Sequence, residues 1–201
     1  AYECGWSYLF YKLNKLYFSF SKGFRLPAVD EFLLFDYTTW PSGRIINTGL
    51  GAQKSHTFDT GFDLYHEDIA KLHVNGFFVT TENEIYYDPY TSANQNYDDR
   101  IKRKGIESQL KVKLNSYFDC YTNYTYTEAK FDGDNFSGND VPGVSKHLCG
   151  AGVNFHYKGL LFNIDCNYVG KSRFISDQRN TKGFGDDYFL TNAGFSYTYA
   201  W

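Results

Sequence analysis

The 201-residue sequence predicts an all-β fold, an antiparallel transmembrane β-barrel of which it supplies about nine strands, on three observations. Side-chain character alternates with period two in nearly every segment, the mark of strands with two different faces. The alternating runs reach about ten residues or more, whereas strands of soluble sandwiches usually stop at about five or six. The joins between them go short, long, short, long without a break, as short periplasmic turns and long external loops do in outer-membrane barrels.

The composition agrees. Phe and Tyr number 19 each and Trp 3, while Gly is frequent at 18 and Pro scarce at 4, a balance suited to many strands joined by turns. Lys plus Arg is 20 and Asp plus Glu 23, a net charge of -3, so bulk attraction to nucleic acid is not indicated and no nucleic-acid partner is expected. Mean hydropathy is -0.50. No window approaches the roughly 18 consecutive apolar residues of a membrane-spanning helix, but alternating strands average out to just such a polar score. There is no Met. The opening AYECGWSYLFY lacks the charged and apolar regions of a signal peptide and reads as the middle of something longer.

Strands are expected near 2–11, 16–24, 55–66, 71–87, 101–114, 117–131, 147–158, 160–173 and 188–200. In the third, Phe58, Thr60, Phe62 and Leu64 share one face, opposed by Asp59, Gly61, Asp63 and Tyr65. In the fifth, Ile106, Leu110, Val112 and Leu114 oppose Glu107, Gln109, Lys111 and Lys113, two sets that a helix would mix. Tilted by about 45°, a strand of roughly 9 to 11 residues crosses the hydrocarbon layer, and longer ones protrude outside. The joins fall at 12–15, 25–54, 67–70, 88–100, 115–116, 132–146, 159 and 174–187. Tyr86, Tyr87, Tyr124, Tyr126, Phe131, Tyr157, Tyr168, Phe174, Tyr197, Tyr199 and Trp201 lie toward strand ends, where a barrel carries its interfacial girdles. Complete single-chain barrels have even strand counts, so with nine strands either a strand is missed or more chain is missing.

Chemistry is sparse. No C-x-x-C spacing exists, and Cys120, Cys149 and Cys166 fall on the apolar phase, facing lipid, with Cys4 undecided. His56, His66, His73, His147 and His156 are scattered, and His66 belongs to a short solvated turn. The stretch DGDNFSGND (132–140) departs from a calcium loop, with Ser137 at the sixth position and Gly143 at the twelfth, and reads as an external loop. Ser145 and His147 are the nearest thing to a nucleophile and base, without a third member. No metal, cofactor or enzymatic activity is expected.

The segment SFSKGFRLPAVDEFL, through Phe24, Arg25, Pro27 and Glu31, resembles the "Y-S-x-G-F-R-x-P-x-x-x-E-L" stretch of TonB-dependent outer-membrane receptors. NTGLGAQKSHTFDTG resembles that family's "N-P-x-L-x-P-E-x-S-x-x-x-E-x-G" at Asn47, Leu50, Ser55 and Gly61, with Ala52, Gln53 and Asp59 replacing its Pro and two Glu. NGFFVTTENEIYYDP is similar to "alFytdykdeIyy". RIKRKGIESQL, with Gly105 and Glu107, is similar to "n-x-r-r-x-G-v-E", and YTYTEAKF followed by VPGVSKH, with Pro142, to "Y-t-y-x-x-a-x-f … v-P-x-v-p-x-h". These run in the family's order over almost the whole chain.

The resemblance implies that residues 1–201 are the later part of a barrel of about 22 strands around a plug, with the plug and final strands absent. It further implies an outer membrane location in a Gram-negative bacterium, contact with outer-membrane lipid, and uptake energised by the TonB system through that plug. The cargo would be a large scarce solute such as a ferric siderophore, cobalamin or glycan. The motif residues are read as structural: Pro27 ends pairing as the chain leaves the membrane, and Arg25 pairs with a carboxylate such as Glu31. Asp30 and Glu31 open a short helix-like stretch, 28–35. In the longest loop Tyr37, Trp40 and Arg44 are the candidate ligand-binding residues, able to stack on a ring or pair with an anionic chelate. Two alternatives stay open, a smaller porin or adhesin barrel without a plug and a soluble β-domain.

Overall fold

The structure is a computed structural model describing residues 1–11, 13–35 and 44–199. Its strands are β1 (Tyr2–Phe10), β2 (Asn14–Arg25), β3 (Leu33–Phe35), β4 (Arg44–Ile46), β5 (Gln53–His66), β6 (Ala70–Glu82), β7 (Ile85–Asp88), β8 (Ala93–Asn96), β9 (Arg100–Lys113), β10 (Phe118–Asp132), β11 (His147–Tyr157), β12 (Leu160–Val169) and β13 (Tyr188–Tyr197). Nine of them form one antiparallel sheet in the order β1-β2-β5-β6-β9-β10-β11-β12-β13, each strand beside its neighbour in sequence. The remaining four make two small ladders, β3 with β4 and β7 with β8, inside the first two long joins.

All nine expected strands are present, and four details differ. The run 71–87 is two elements: Asn83 takes a left-handed φ of 54°, which ends β6 at Glu82 and sends Tyr86 and Tyr87 into the separate β7. The stretch 28–35 is not helical. It is a turn followed by β3, because the chain pairs with the returning segment through Leu33 opposite Ile46 instead of closing a helix. The strands expected to reach 173 and 200 end at Val169 and Tyr197.

Register fixes which side chains share a face. Phe18, Thr60, Gly76, Ile106 and Tyr126 stand directly opposite one another in turn across β2, β5, β6, β9 and β10. One face of the sheet therefore carries Phe58, Phe62, Leu72, Val74, Ile106, Leu110 and Val112, and also Cys4, Cys120, Cys149 and Cys166, none of them bridged. Many of its large apolar residues are open to the surroundings, Trp6, Phe18, Ile106 and Phe162 among them, which makes it the lipid-facing side. Aromatic rings bound it at two levels. Phe118 and Phe155 (centroids 5.0 Å apart) lie near the short turns; Tyr126 with His147 (5.3 Å) and Tyr168 with Phe189 (4.9 Å) lie near the long loops. Phe118 to Tyr126 on β10, at about 3.4 Å per residue and about 45° tilt, spans roughly 19 Å of bilayer depth, within the ~25 Å apolar band of such barrels.

The opposite face is hydrophilic and tied together by side chains. Asp63, 8 % exposed, binds His73 Nδ1 (2.6 Å) and Lys15 Nζ (3.0 Å). Tyr17 donates to Asn75 (2.9 Å), which donates to Asp59 (3.3 Å). Farther along, Asp119 accepts from Asn154 (2.7 Å) and meets His156 Nε2 (2.6 Å), and Asp165 accepts from Asn167 and Asn192 (2.9 Å each). Two family-motif glycines sit under aromatic rings of this face. A Cβ at Gly61 would strike the Tyr17 ring and the Val74 carbonyl, and one at Gly105 the Phe77 ring and the Tyr126 carbonyl.

Gly105→Val is expected to cost about 1–3 kcal/mol of stability by overpacking, read as a lower urea midpoint than that of Gly185→Ala, whose new Cβ meets its nearest atoms at 3.7 Å. Equal midpoints would show that Phe77 and the ladder yield freely.

Candidate functional site

The buried apolar residues of the described chain gather at one end, where the long joins are. Tyr97, Ile101, Ala129, Phe131 and Val141 form a cluster with Tyr86, Phe136 and Val144 packed against it. Ile101, Ala129 and Phe131 belong to the hydrophilic face's phase of β9 and β10, so the loops fold inward over that side. The Tyr86 ring stacks on Tyr97 at 3.8 Å, and Tyr97 stands edge-on to Phe131 at 5.0 Å. Burial pushes the Tyr97 hydroxyl up to about 12. Beside them Arg103 grips Glu84 through two bonds of 2.6 Å, a forked pair at the mouth.

Side chains of one loop cap the backbone of the next. Asn47 donates to the Asn94 carbonyl (2.9 Å) and Asn94 to that of Glu31 (3.3 Å), while Asn96 accepts from the Gly51 amide (2.7 Å) and donates to its carbonyl (3.1 Å). These join 26–52 to 83–99. Asp99, 4 % exposed, accepts the amides of Asp134 (3.0 Å), Asn135 (3.1 Å) and Phe136 (2.6 Å), fastening 133–146. Asn139 then donates to the Gln178 carbonyl (2.8 Å), and Asn180 and Asp140 exchange bonds of 2.8 and 2.9 Å, which fastens 170–187. Lys182 closes the ring by donating to the Tyr90 hydroxyl (3.2 Å). The described parts of the four long joins are thus one continuous cap.

The motif residues serve this cap and the wall below it. Arg25 places one guanidinium nitrogen between both Glu31 oxygens (2.9 and 3.0 Å), the pairing expected from the sequence. The Ala28 amide also donates to Glu31 (2.7 Å), and the Glu31 amide to the Ala28 carbonyl (3.0 Å), closing the turn around Pro27. Asn47 accepts from the Gly49 amide (3.1 Å), and Leu50 is buried. Ser55 stands opposite Gly23, and Glu107 lies on the hydrophilic face opposite Asn75 and Thr125. Phe24 is exposed, and Pro142 precedes Gly143, whose amide reaches the Arg173 carbonyl (3.0 Å). Of the candidate ligand residues, Tyr37 and Trp40 lie outside the described residues, and Arg44 opens β4 with only its backbone place described. The sequence reading missed Asn94, Asn96, Asp99 and Asn180. Their one signal was clustering of Asn and Asp in the long joins, which marks loops without saying which loops they join.

A sheet with one lipid-facing surface, one hydrophilic surface and loops folded over the hydrophilic side defines part of an outer-membrane β-barrel wall. Residues 5–201 match the family described as TonB dependent receptor-like, beta-barrel, and the chain belongs to that family of the Gram-negative outer membrane. It is 25% identical over 178 residues to the ferrichrome outer membrane transporter/phage receptor of Escherichia coli (strain K12), a match covering 84% of this chain and 22% of that protein. The fold is shared with the ferric yersiniabactin uptake receptor FyuA of Yersinia pestis (TM-score 0.69, 17% identity, 97% of this chain and 29% of that one). It is shared equally with the ferric citrate transporter FecA (0.71, 17%, 98% and 30%) and the copper transporter OprC (0.72, 14%, 98% and 30%). The chain therefore spans about a quarter of the length of these relatives.

Asp99→Ala would leave three amides without their acceptor, each costing about 1–3 kcal/mol. Hydrogen exchange at residues 134–136 is expected to accelerate while the middle of β10 stays protected; unchanged exchange would remove Asp99 as the staple. The Ala28 amide first, and then Arg25, hold the Glu31 carboxyl below its ordinary value. A depressed carboxylate stabilises above its unfolded pKa of about 4.3 and loses that contribution as pH falls through the lower folded value. Protection of the Ala28 amide should accordingly hold at neutral pH, fall in acid, and be absent at all pH in Glu31→Ala, which has no side-chain acceptor.

Proposed function

We propose that this chain is the later section of the barrel wall of a receptor that imports a large scarce solute, a metal chelate such as a ferric siderophore first among the candidates. The observation that carries this reading is the continuous cap: four long joins locked by side-chain-to-backbone bonds make a shaped external surface above a hydrophilic wall. A pore for small solutes needs no such cap. The names of the relatives, which speak of ferrichrome, ferric yersiniabactin, ferric citrate and copper, support a metal-containing cargo over cobalamin or a glycan. In this reading the plug and final strands lie in the rest of the receptor, and the TonB system acts through the plug. Release requires only that the energised plug move, with no bond made or broken in the cargo.

Trp40 and Arg44 are proposed to meet the cargo, the indole by stacking on a ligand ring and the guanidinium by pairing with an anionic chelate. The test is uptake of radiolabelled ferric chelates by cells whose only receptor is the complete protein. Uptake should stop when TonB is deleted, and Trp40→Ala with Arg44→Gln should raise the half-saturating concentration roughly tenfold. Uptake that continues without TonB would favour a plugless porin, and an unchanged half-saturation would clear these two residues of contact with cargo.

A further inference from the structure

The hydrophilic face carries a cationic cleft at the end away from the cap. Beyond Glu107, toward the short turn after β9, the inward positions of β9 are Gln109, Lys111 and Lys113. Lys111 stands directly opposite Lys71 of β6 and Tyr121 of β10. Tyr121 and Asn123 of β10 lean the other way, over Gly152 and Gly150 of β11, where a Cβ would strike them. The space between these two side chains and β9 is thereby left open. It is a cleft of about 470 Å³, bounded by Gln109, Lys111, Lys113, Tyr121, Asn123 and Asn154, a volume in the range that takes small molecules.

The charges of the cleft are unbalanced. Asp63 already holds Lys15 and His73, and Asp119 holds Asn154 and His156. Among the described residues no carboxylate forms an ion pair with Lys71, Lys111 or Lys113, and Lys71 rests on the Tyr65 ring, 5.0 Å from its centre. Two lysines directly opposite each other cost stability until an anion lies between them. Ammonium, carboxamide and phenol groups converge on the space, more donors than one protein carboxylate, with about four acceptor sites, can satisfy. They suit an anion with many oxygens. Such an anion moving inward from the cap first meets Asp59 and Glu107, which repel it; a cleft lined by the opposite sign on the exit side raises its local concentration by about 10- to 1000-fold.

We infer that this cleft is an exit-side station for an anionic metal chelate, a site that rests on the uptake reading above. Lys71 and Lys111 receive the charged oxygens of the chelate once it has passed Glu107, Gln109 and Asn123 donate to the oxygens that remain, and the chelate leaves past Lys113 at the short turn.

The test is uptake of radiolabelled iron by cells whose only receptor is the complete protein, supplied as an anionic tris-catecholate complex, an anionic citrate complex or a neutral trihydroxamate complex. The parent should import an anionic complex. Lys71→Gln with Lys111→Gln should lower its maximal rate roughly tenfold and leave the half-saturating concentration unchanged, because the cap still binds it, while Lys71→Arg with Lys111→Arg should keep the rate. Should the glutamine pair fail to reach the membrane, Lys111→Gln alone is read in the same way. An unchanged maximal rate, or import of the neutral complex alone, would overturn the proposal and leave the uptake reading standing. A lowered rate accompanied by TonB-independent entry of a glycopeptide antibiotic would also overturn it, by showing that the lysines fasten the plug. Import of none of the complexes by the parent would overturn the uptake reading itself, and the station with it.

Discussion

In hydrocarbon a peptide group that meets no partner costs several kcal/mol, and the nine long strands answer this by pairing each with its sequence neighbour in one uninterrupted ladder. Adjacent antiparallel pairing needs only short turns at one end, and these are the turns that follow β1, β5, β9 and β11. Glu67 and Lys158 adopt left-handed φ there and Gly159 turns the chain with φ of 82°, so the reversals are tight. The same requirement marks the outer edges of β1 and β13 as places for partner strands. Both strands are exposed along almost their whole length. The wall therefore fits the partial coverage of its relatives' barrels.

With the ladder fixed, a period of two delivers alternate side chains to two solvents, and this is why the wall was legible in the sequence. The contrast between Ile106, Leu110, Val112 and Glu107, Gln109, Lys111 survives into the structure unchanged, because a one-residue slip would put three polar side chains into lipid. The glycines Gly61 and Gly105 were legible only through the family pattern. Their physical reason, Tyr17 and Phe77 lying across them, depends on a neighbouring strand far away in sequence.

The cap was legible only as loops. Asn and Asp side chains bond to whichever backbone lies near, and that choice has no period. The turn at Glu31 shows how such chemistry misleads. Its carboxylate accepts the Ala28 amide three residues back, the same bond that begins many helices, yet the following Leu33–Phe35 pairs with Arg44–Ile46 as strand. Asn83 misled in the other direction, because the alternation of 71–87 runs through it while its backbone conformation breaks the strand. Both errors arise where side chain and backbone compete locally and distant pairing decides.

The same alternation also records where the membrane ends. Along β9 and β10 the two faces exchange character without any change of period. Up to Ile106 and Tyr126 the apolar side looks outward, and Glu107 and Thr125 look inward. Beyond them Lys104, Lys102, Lys130 and Asp132 look outward, while Ile101, Ala129 and Phe131 are buried inward under the cap. A soluble sandwich has no reason to invert in this way, since its core stays on one side from end to end. A wall passing from oil into water must invert, because above the bilayer the outer face meets water and lipid headgroups, and the one dry place left is beneath the folded loops. The inversion point thus joins the two functions of these strands, sealing the membrane below it and anchoring the external cap above.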